Sequence, residues 1–174
     1  MSKFVFTPTD SHELSDSYDA IIVGSGGTGL SAAIQAKELG LNVAILEKEE
    51  KLGGNTNRAS SGMNAAETNV QLMHGIVDDK EDFFKETLKG GGLLNDREML
   101  RYFVDHAPLA IDWLKDHDIE LTDVTITGGM SKKRTHRPAS MAPIGGFLVQ
   151  NLLKVARKEQ IPIFNKVKVI AVLQ

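Results

Sequence analysis

Gly24, Gly26 and Gly29 stand in the spacing G-x-G-x-x-G, and Gly27 adds a fourth glycine within six residues. Glu47 follows roughly 20 residues on. These residue types at these positions suit the holding of a dinucleotide. Gly24 lets the chain turn sharply. Gly26 has no side chain, so a pyrophosphate can lie against the backbone, and Gly29 lets a helix pack close to a sheet. A helix starting at that turn offers unpaired N–H groups and a partial positive charge to phosphates. The Glu47 carboxylate can accept hydrogen bonds from the two hydroxyls of an adenosine ribose. It would repel a 2′-phosphate, which argues against an NADP-type ligand. The competing reading is a glycine-rich turn with no ligand, which leaves the backbone entropy cost of four glycines without a reason.

The flanking elements stand where this chemistry needs them. Ala20, Ile21, Ile22 and Val23 form a short apolar run ended by Gly24, as a buried strand would. From Thr28 to Leu39 the residues are good helix formers, and Gly40 is a plausible C-cap. Val43 to Leu46 is a second apolar run, closed by Glu47. The pattern is strand, glycine turn, helix, strand and acid, the context that gives the glycine motif its specificity.

Composition narrows the remaining options. The chain has 174 residues, 41% hydrophobic and 25% charged, ordinary for a globular protein with a core of its own. It has no cysteine, which excludes disulfides, thiolate metal sites and cysteine catalysis; no metal site is expected. A net charge of −3 gives no support for a nucleic-acid partner. No apolar run approaches ~18 residues, so no membrane span is expected. The N-terminus lacks an apolar signal-peptide core, and a cytoplasmic location is the default expectation. Residues 1–17 read as a polar tail or linker, apart from Phe4, Val5 and Phe6. The folded domain is expected over residues 18–174, without internal repeats.

After Glu47 and a charged turn come Gly53-Gly54-Asn55-Thr56 and then Ala59-Ser60-Ser61-Gly62-Met63-Asn64-Ala65-Ala66. Such small residues let a backbone press against a flat ring system; on composition alone they also read as a polar surface loop. Asp78 with Glu81, and Asn95 with Glu98, are spaced as helix-capping pairs. Gly90-Gly91-Gly92 should stop the first of these helices. Pro108 interrupts the second and suits the first turn of a further helix. Leu109, Ala110, Trp113 and Leu114 share one face, so Trp113 reads as core. Residues 119–127 alternate as a strand, residues 147–159 read as an amphipathic helix, and residues 161–173 as a β-rich tail. Lys132, Lys133, Arg134, His136 and Arg137 form a basic stretch in which the lysines read as solvated. His106 and His117 read as surface residues, and His12 and His74 carry no partner signal.

The stretches GSGGTGLSAAIQAKELG, EKEEKLGGNTNRASSGMNAAETNVQ, DFFKETLKGGGLLND, AIDWLKDHDIELTDV, THRP and LVQNLLKVARKEQIPIFNKVKVIAVL resemble the fumarate reductase flavoprotein family, of the flavocytochrome c and urocanate reductase type. The resemblance covers roughly Tyr18 to Leu173. It implies FAD as ligand and an α/β, three-layer, Rossmann-like FAD-binding domain with a βαβ dinucleotide fold, truncated before the cap domain. It also implies roles for single residues. Gly27 and Thr28 at the glycine turn would meet the pyrophosphate, and Glu47, with Lys48 beside it, would hold the ribose. Gly54, Asn55 and Thr56 would line the path to the isoalloxazine. Ser60, Ser61 and Gly62 would meet the flavin ring, and Val169 would offer backbone groups to the adenine edge. The final segment would add a strand beside the Glu47 strand.

Two departures from the family bear on function. The family commonly has Gly-Gly where this chain has Ser61-Gly62; a hydroxymethyl there narrows the site or adds a hydrogen bond. After His136-Arg137-Pro138 the family has threonine and a glycine-rich run, where this chain has Ala139 to Gly146. In the family, the cap and a returning segment carry the arginine proton donor and the groups that clamp the dicarboxylate substrate, and no residue here aligns with them. The chain is therefore expected to be the FAD-binding part of a fumarate-reductase-like oxidoreductase, without catalytic residues of its own. The alternatives are a free-standing FAD or nucleotide-binding module, or the FAD portion of a urocanate reductase, a 3-ketosteroid dehydrogenase or L-aspartate oxidase.

Overall fold

The structure is a computed structural model, and it describes residues 5–173. Phe4 and the rest of residues 1–4, together with Gln174, lie outside the described residues. In chain order the elements are β1 (Ala20–Val23), α1 (Gly27–Glu38), β2 (Val43–Leu46), β3 (Met63–Asn64), α2 (Asn69–Met73), α3 (Lys80–Gly90), α4 (Arg97–Asp116), β4 (Asp123–Thr125), β5 (Thr135–Arg137), α5 (Ile144–Lys158) and β6 (Ile163–Phe164). Short 3-10 helices stand at Ser11–Glu13 and Gly54–Arg58. The chain divides into two compact units, Met1–Ala59 with Gly145–Gln174, and Ser60–Ile144.

The first unit holds a parallel sheet in the order β1-β2-β6. β1 pairs with β2 from Ala20↔Val43 to Val23↔Leu46, and β2 pairs with β6 at Ile45↔Ile163 and Leu46↔Phe164. Parallel strands need a crossover, and α1 supplies it, packing on β1 and β2. Leu30, Ala33 and Ile34 of α1 are fully buried, as are Ala44, Ile45 and Ile163 of the sheet. The α/β class and the βαβ unit are those expected from the sequence, with β1 and β2 at the expected bounds, but β1 is not the buried strand expected: Ile21 and Val23 are exposed. The final segment does add a strand beside β2, although only Ile163–Phe164 of the β-rich tail is strand. Part of the 1–17 segment is tied to this sheet: the Thr9 N–H donates to the Ile163 carbonyl (2.9 Å), and the Ile163 N–H donates to Thr9 Oγ1 (3.2 Å). The amphipathic helix begins earlier than its apolar pattern suggested, at Ile144 rather than Phe147.

The second unit contains an antiparallel sheet in the order β3-β5-β4, in which His136 of β5 stands opposite both Met63 and Val124. Ala66, Phe83, Leu88, Leu100 and Val104 form an apolar cluster beneath α3 and α4. The helix starts differ by one residue from the expected caps. Asp79, not Asp78, accepts the Asp82 N–H, and Asp96, not Asn95, accepts the Met99 N–H. Asp78 is instead drawn into a buried ion pair with Arg134. Pro108 opens no new helix but lies inside α4. A proline there removes one intrahelical hydrogen bond. The buried face formed by Leu100, Val104, Ala107, Ile111 and Leu114 offsets that loss and keeps the helix continuous. Trp113 is half-buried rather than core, with its ring against that of His117 at 4.1 Å. The strand expected over residues 119–127 is confined to Asp123–Thr125.

The basic stretch splits by environment. Lys132 reaches the Val77 carbonyl from an exposed position, whereas Arg134 and His136 are fully buried. Arg134 Nε and Nη2 grip both oxygens of Asp78 at 2.7 Å, and Nη1 donates to Glu86. His136 Nδ1 donates to the Arg134 carbonyl (2.8 Å), which leaves Nε2 to accept from the Thr68 hydroxyl at 2.7 Å. Burial of its ring pushes His136 below its ordinary value and keeps it neutral. His74, which carried no partner signal, donates to the Thr122 carbonyl at 2.9 Å.

Candidate functional site

β1 ends at Gly24, whose φ of +99° turns the chain in a way that L side chains resist. Gly26 is the N-cap of α1 and has no side chain to close the helix end. A Cβ on Gly29 would lie 2.0 Å from the Gly24 carbonyl oxygen, so the start of α1 presses on the end of β1. The first turn is closed from elsewhere in the same unit. Thr56 Oγ1 accepts the Gly27 N–H at 2.9 Å, one of the orphan donors of the helix terminus.

Glu47 stands at the end of β2 and is largely buried, 6% exposed. Its Oε2 accepts both the Ser25 N–H (2.9 Å) and the Ser25 hydroxyl (2.6 Å), and its Oε1 accepts the Glu49 N–H (2.9 Å). Burial alone would raise its pKa. The hydrogen bonds from the Ser25 hydroxyl and from the Glu49, Ser25 and Lys48 N–H groups outweigh burial and hold the carboxyl below its ordinary value. Glu47 is therefore ionised at neutral pH. Ser25, fully buried, also accepts the Gly53 N–H at 3.0 Å, which ties the Gly53–Arg58 stretch to the glycine turn. α5 closes on the same stretch: a Cβ on Gly145 would lie 2.0 Å from the Thr56 carbonyl oxygen.

These groups border a cleft of about 1030 Å³ at the ends of β1 and β2. Of the residues singled out in the sequence, Gly24, Gly26, Glu47, Lys48, Gly54, Asn55 and Val169 line it. Gly27 and Thr56 meet each other beside it. Thr28 is exposed in the first turn of α1, and Gly29 is the packing contact between helix and strand. Lys51, Arg58 and Lys168 join Lys48 as cations on the lining. Ser60, Ser61 and Gly62 open the second unit, where the two serines are exposed. There, Gly62 has a packing reason of its own, because a Cβ would meet the His136 carbonyl oxygen at 2.5 Å. Ser25 and Gly145 are functional positions that no sequence signal marks, and Gly53 is marked only as one of a small-residue stretch. Ser25 occupies an unspecified position of the glycine motif, and nothing local distinguishes Gly53 or Gly145 from loop glycines.

A family model described as FAD binding domain matches residues 19–174. The chain belongs to the FAD binding domain family. An NADH:fumarate oxidoreductase of Klebsiella pneumoniae (strain 342) is 53% identical over 147 residues, which are 84% of this chain and 16% of that protein. A fumarate reductase (cytochrome) of Shewanella frigidimarina is 40% identical over 159 residues, 91% of this chain and 28% of that protein. The solved open conformation of a flavocytochrome c3 fumarate reductase matches with a TM-score of 0.83 at 30% identity, over 90% of this chain and 28% of that one. The chain thus spans under a third of the length of these relatives.

The resemblance to fumarate reductase flavoproteins is borne out, and FAD is the cofactor. The residues present fit that group. The turn lacks side chains at Gly24 and Gly26, the cleft is large enough for an extended ligand, and an ionised acid at the end of β2 is a group able to accept hydrogen bonds from hydroxyls. Among the described residues no helix is long and apolar enough to cross a membrane.

Proposed function

We propose that this chain holds FAD within a flavoprotein that reduces an activated carbon–carbon double bond, with the dicarboxylate fumarate as substrate of the whole protein. One observation carries the reading: a cleft with an ionised Glu47 at the end of β2, in a chain 53% identical to a relative named NADH:fumarate oxidoreductase. When bound, FAD supplies hydride chemistry. Glu47 accepts the ribose hydroxyls, with Lys48 beside it. Gly24, Gly26, Gly27 and Thr28 present backbone to the pyrophosphate, and Gly29 holds α1 close enough to orient its N-terminus. Gly54, Asn55 and Thr56 line the way toward the ring, Ser60, Ser61 and Gly62 meet it, and Val169 offers backbone groups to the adenine edge. A cytoplasmic location belongs to the same proposal, and recovery with membranes on cell fractionation would reverse it.

Two results test this reading. Glu47→Ala weakens FAD binding by about 1–3 kcal/mol, the range for leaving charge-assisted hydrogen bonds unmade. Equal FAD affinities of variant and parent, measured by flavin fluorescence, would remove Glu47 from the site. The second result concerns turnover. Reducing fumarate needs a positioned proton donor and a clamped dicarboxylate in a closed site. We assign both to the remainder of the whole protein. With FAD and reduced methyl viologen under anaerobic conditions, the 174-residue chain alone is expected to show no turnover, and the full-length protein to reach an ordinary enzymatic rate of ~1–10³ per second. That rate from the chain alone would place the donor within these residues, and its absence from the full-length protein would rule out fumarate as substrate.

A further inference from the structure

We infer that Ser25 is a positioning residue for the adenosine end of the cofactor, acting through Glu47 rather than by touching the ligand. The inference rests on the proposal that Glu47 holds the ribose. Ser25 is fully buried, and all its polar atoms except its carbonyl are engaged at once. Its N–H and hydroxyl both donate to Glu47 Oε2, at 2.9 and 2.6 Å, and its Oγ accepts the Gly53 N–H at 3.0 Å. A free glutamate side chain samples many rotamers, and fixing one loses conformational entropy on binding. Here that loss is taken at folding, because two donors from one residue hold one oxygen while the Glu49 N–H holds the other. The hydroxyl is the only one of these donors that belongs to a side chain, so it is the one that residue choice at position 25 controls. The same hydroxyl sets the distance between the glycine turn and Gly53, whose φ of +101° starts the 3-10 stretch that lines the cleft. A hydroxyl at this position therefore couples the acid, the turn and the loop.

The other charged residues that line the cleft with Glu47 are Lys48, Lys51, Arg58 and Lys168, with Glu49 and Glu50 of like sign. They are unchanged in a Ser25 variant, so a shift in Glu47 titration reports the lost hydroxyl. The test compares Ser25→Ala, Glu47→Ala and the double variant in the full chain, with FAD affinity read by flavin fluorescence. Ser25→Ala is expected to weaken FAD about tenfold, and to weaken it less than twofold when Glu47 is already alanine. Carbon-13 NMR of the cofactor-free chain should show the Glu47 carboxyl titrating at higher pH in Ser25→Ala. Correspondingly, the acid-side fall in FAD affinity should begin at higher pH. Ser25→Cys, close in size but a weak donor, gives the same comparisons if the alanine variant does not fold. Fully additive losses, or an unmoved Glu47 titration, overturn the inference. An affinity unchanged in Glu47→Ala instead overturns the ribose assignment beneath it.

Discussion

Replacing Arg134 with methionine lowers the stability of the chain by about 3–5 kcal/mol, the range for removing one partner of a buried ion pair. Arg134 and the Asp78 side chain are both 0% exposed, and Glu86 is only 22% exposed. Without the guanidinium, the buried Asp78 carboxylate loses two hydrogen bonds, the part-buried Glu86 loses one, and neither keeps the cation that balances its charge. Urea unfolding measures the effect, and an unfolding free energy within ~0.5 kcal/mol of the parent would contradict it. Removing all three charges together, with Asp78→Leu and Glu86→Leu added, should recover much of the loss, since buried charge networks exchange for apolar packing at little net cost. The pH dependence has a definite sign. Burial raises the Asp78 pKa, but the Arg134 and Gln71 hydrogen bonds outweigh it and hold the carboxyl below its ordinary value. That stabilisation is present above the unfolded carboxylate pKa and is lost as pH falls through the folded one. The parent therefore loses stability on acidification more steeply than Arg134→Met does.

Gly29→Ala abolishes tight FAD binding and destabilises the fold by at least about 1–3 kcal/mol, the range for overpacking. The added Cβ would lie 2.0 Å from the Gly24 carbonyl oxygen, 3.1 Å from its carbon and 3.2 Å from Ile22 Cγ2. Two of these three atoms are backbone and cannot rotate away, so α1 must lift from β1. The Gly27 N–H then moves off Thr56, and the turn loses the shape that admits a pyrophosphate. Gly90→Ala is the control. Gly90 lies in α3 with nothing within 4 Å of a built Cβ, so that change should be neutral or stabilise by up to about 1 kcal/mol. Thermal melts with and without FAD separate the two variants, and matching behaviour would show that the close approach at Gly29 has no consequence.

The sequence by itself determined the β1–turn–α1–β2 unit and the acid that ends it. Its signals are contiguous: an apolar run, glycines at fixed offsets, helix formers, a second apolar run and Glu47, all within about 30 residues. The family resemblance extended that reading to FAD and to β6 beside β2. Tertiary structure alone decided what surrounds the acid. Ser25 is an unspecified letter of the glycine motif until β2 places Glu47 Oε2 2.6 Å from its hydroxyl. The pairs Arg134–Asp78 and Arg134–Glu86 join residues 56 and 48 positions apart, and no periodicity reports such distances. The capping shift has the same origin: Asp78 and Asp79 are adjacent and chemically alike, and only the buried guanidinium selects which of them caps α3. Pro108 breaks the local helical rule because its cost is one hydrogen bond, whereas α4 buries a whole face along 20 residues. Local propensity can be read from neighbouring residues, but long-range charge pairing and burial are fixed only when the chain has folded.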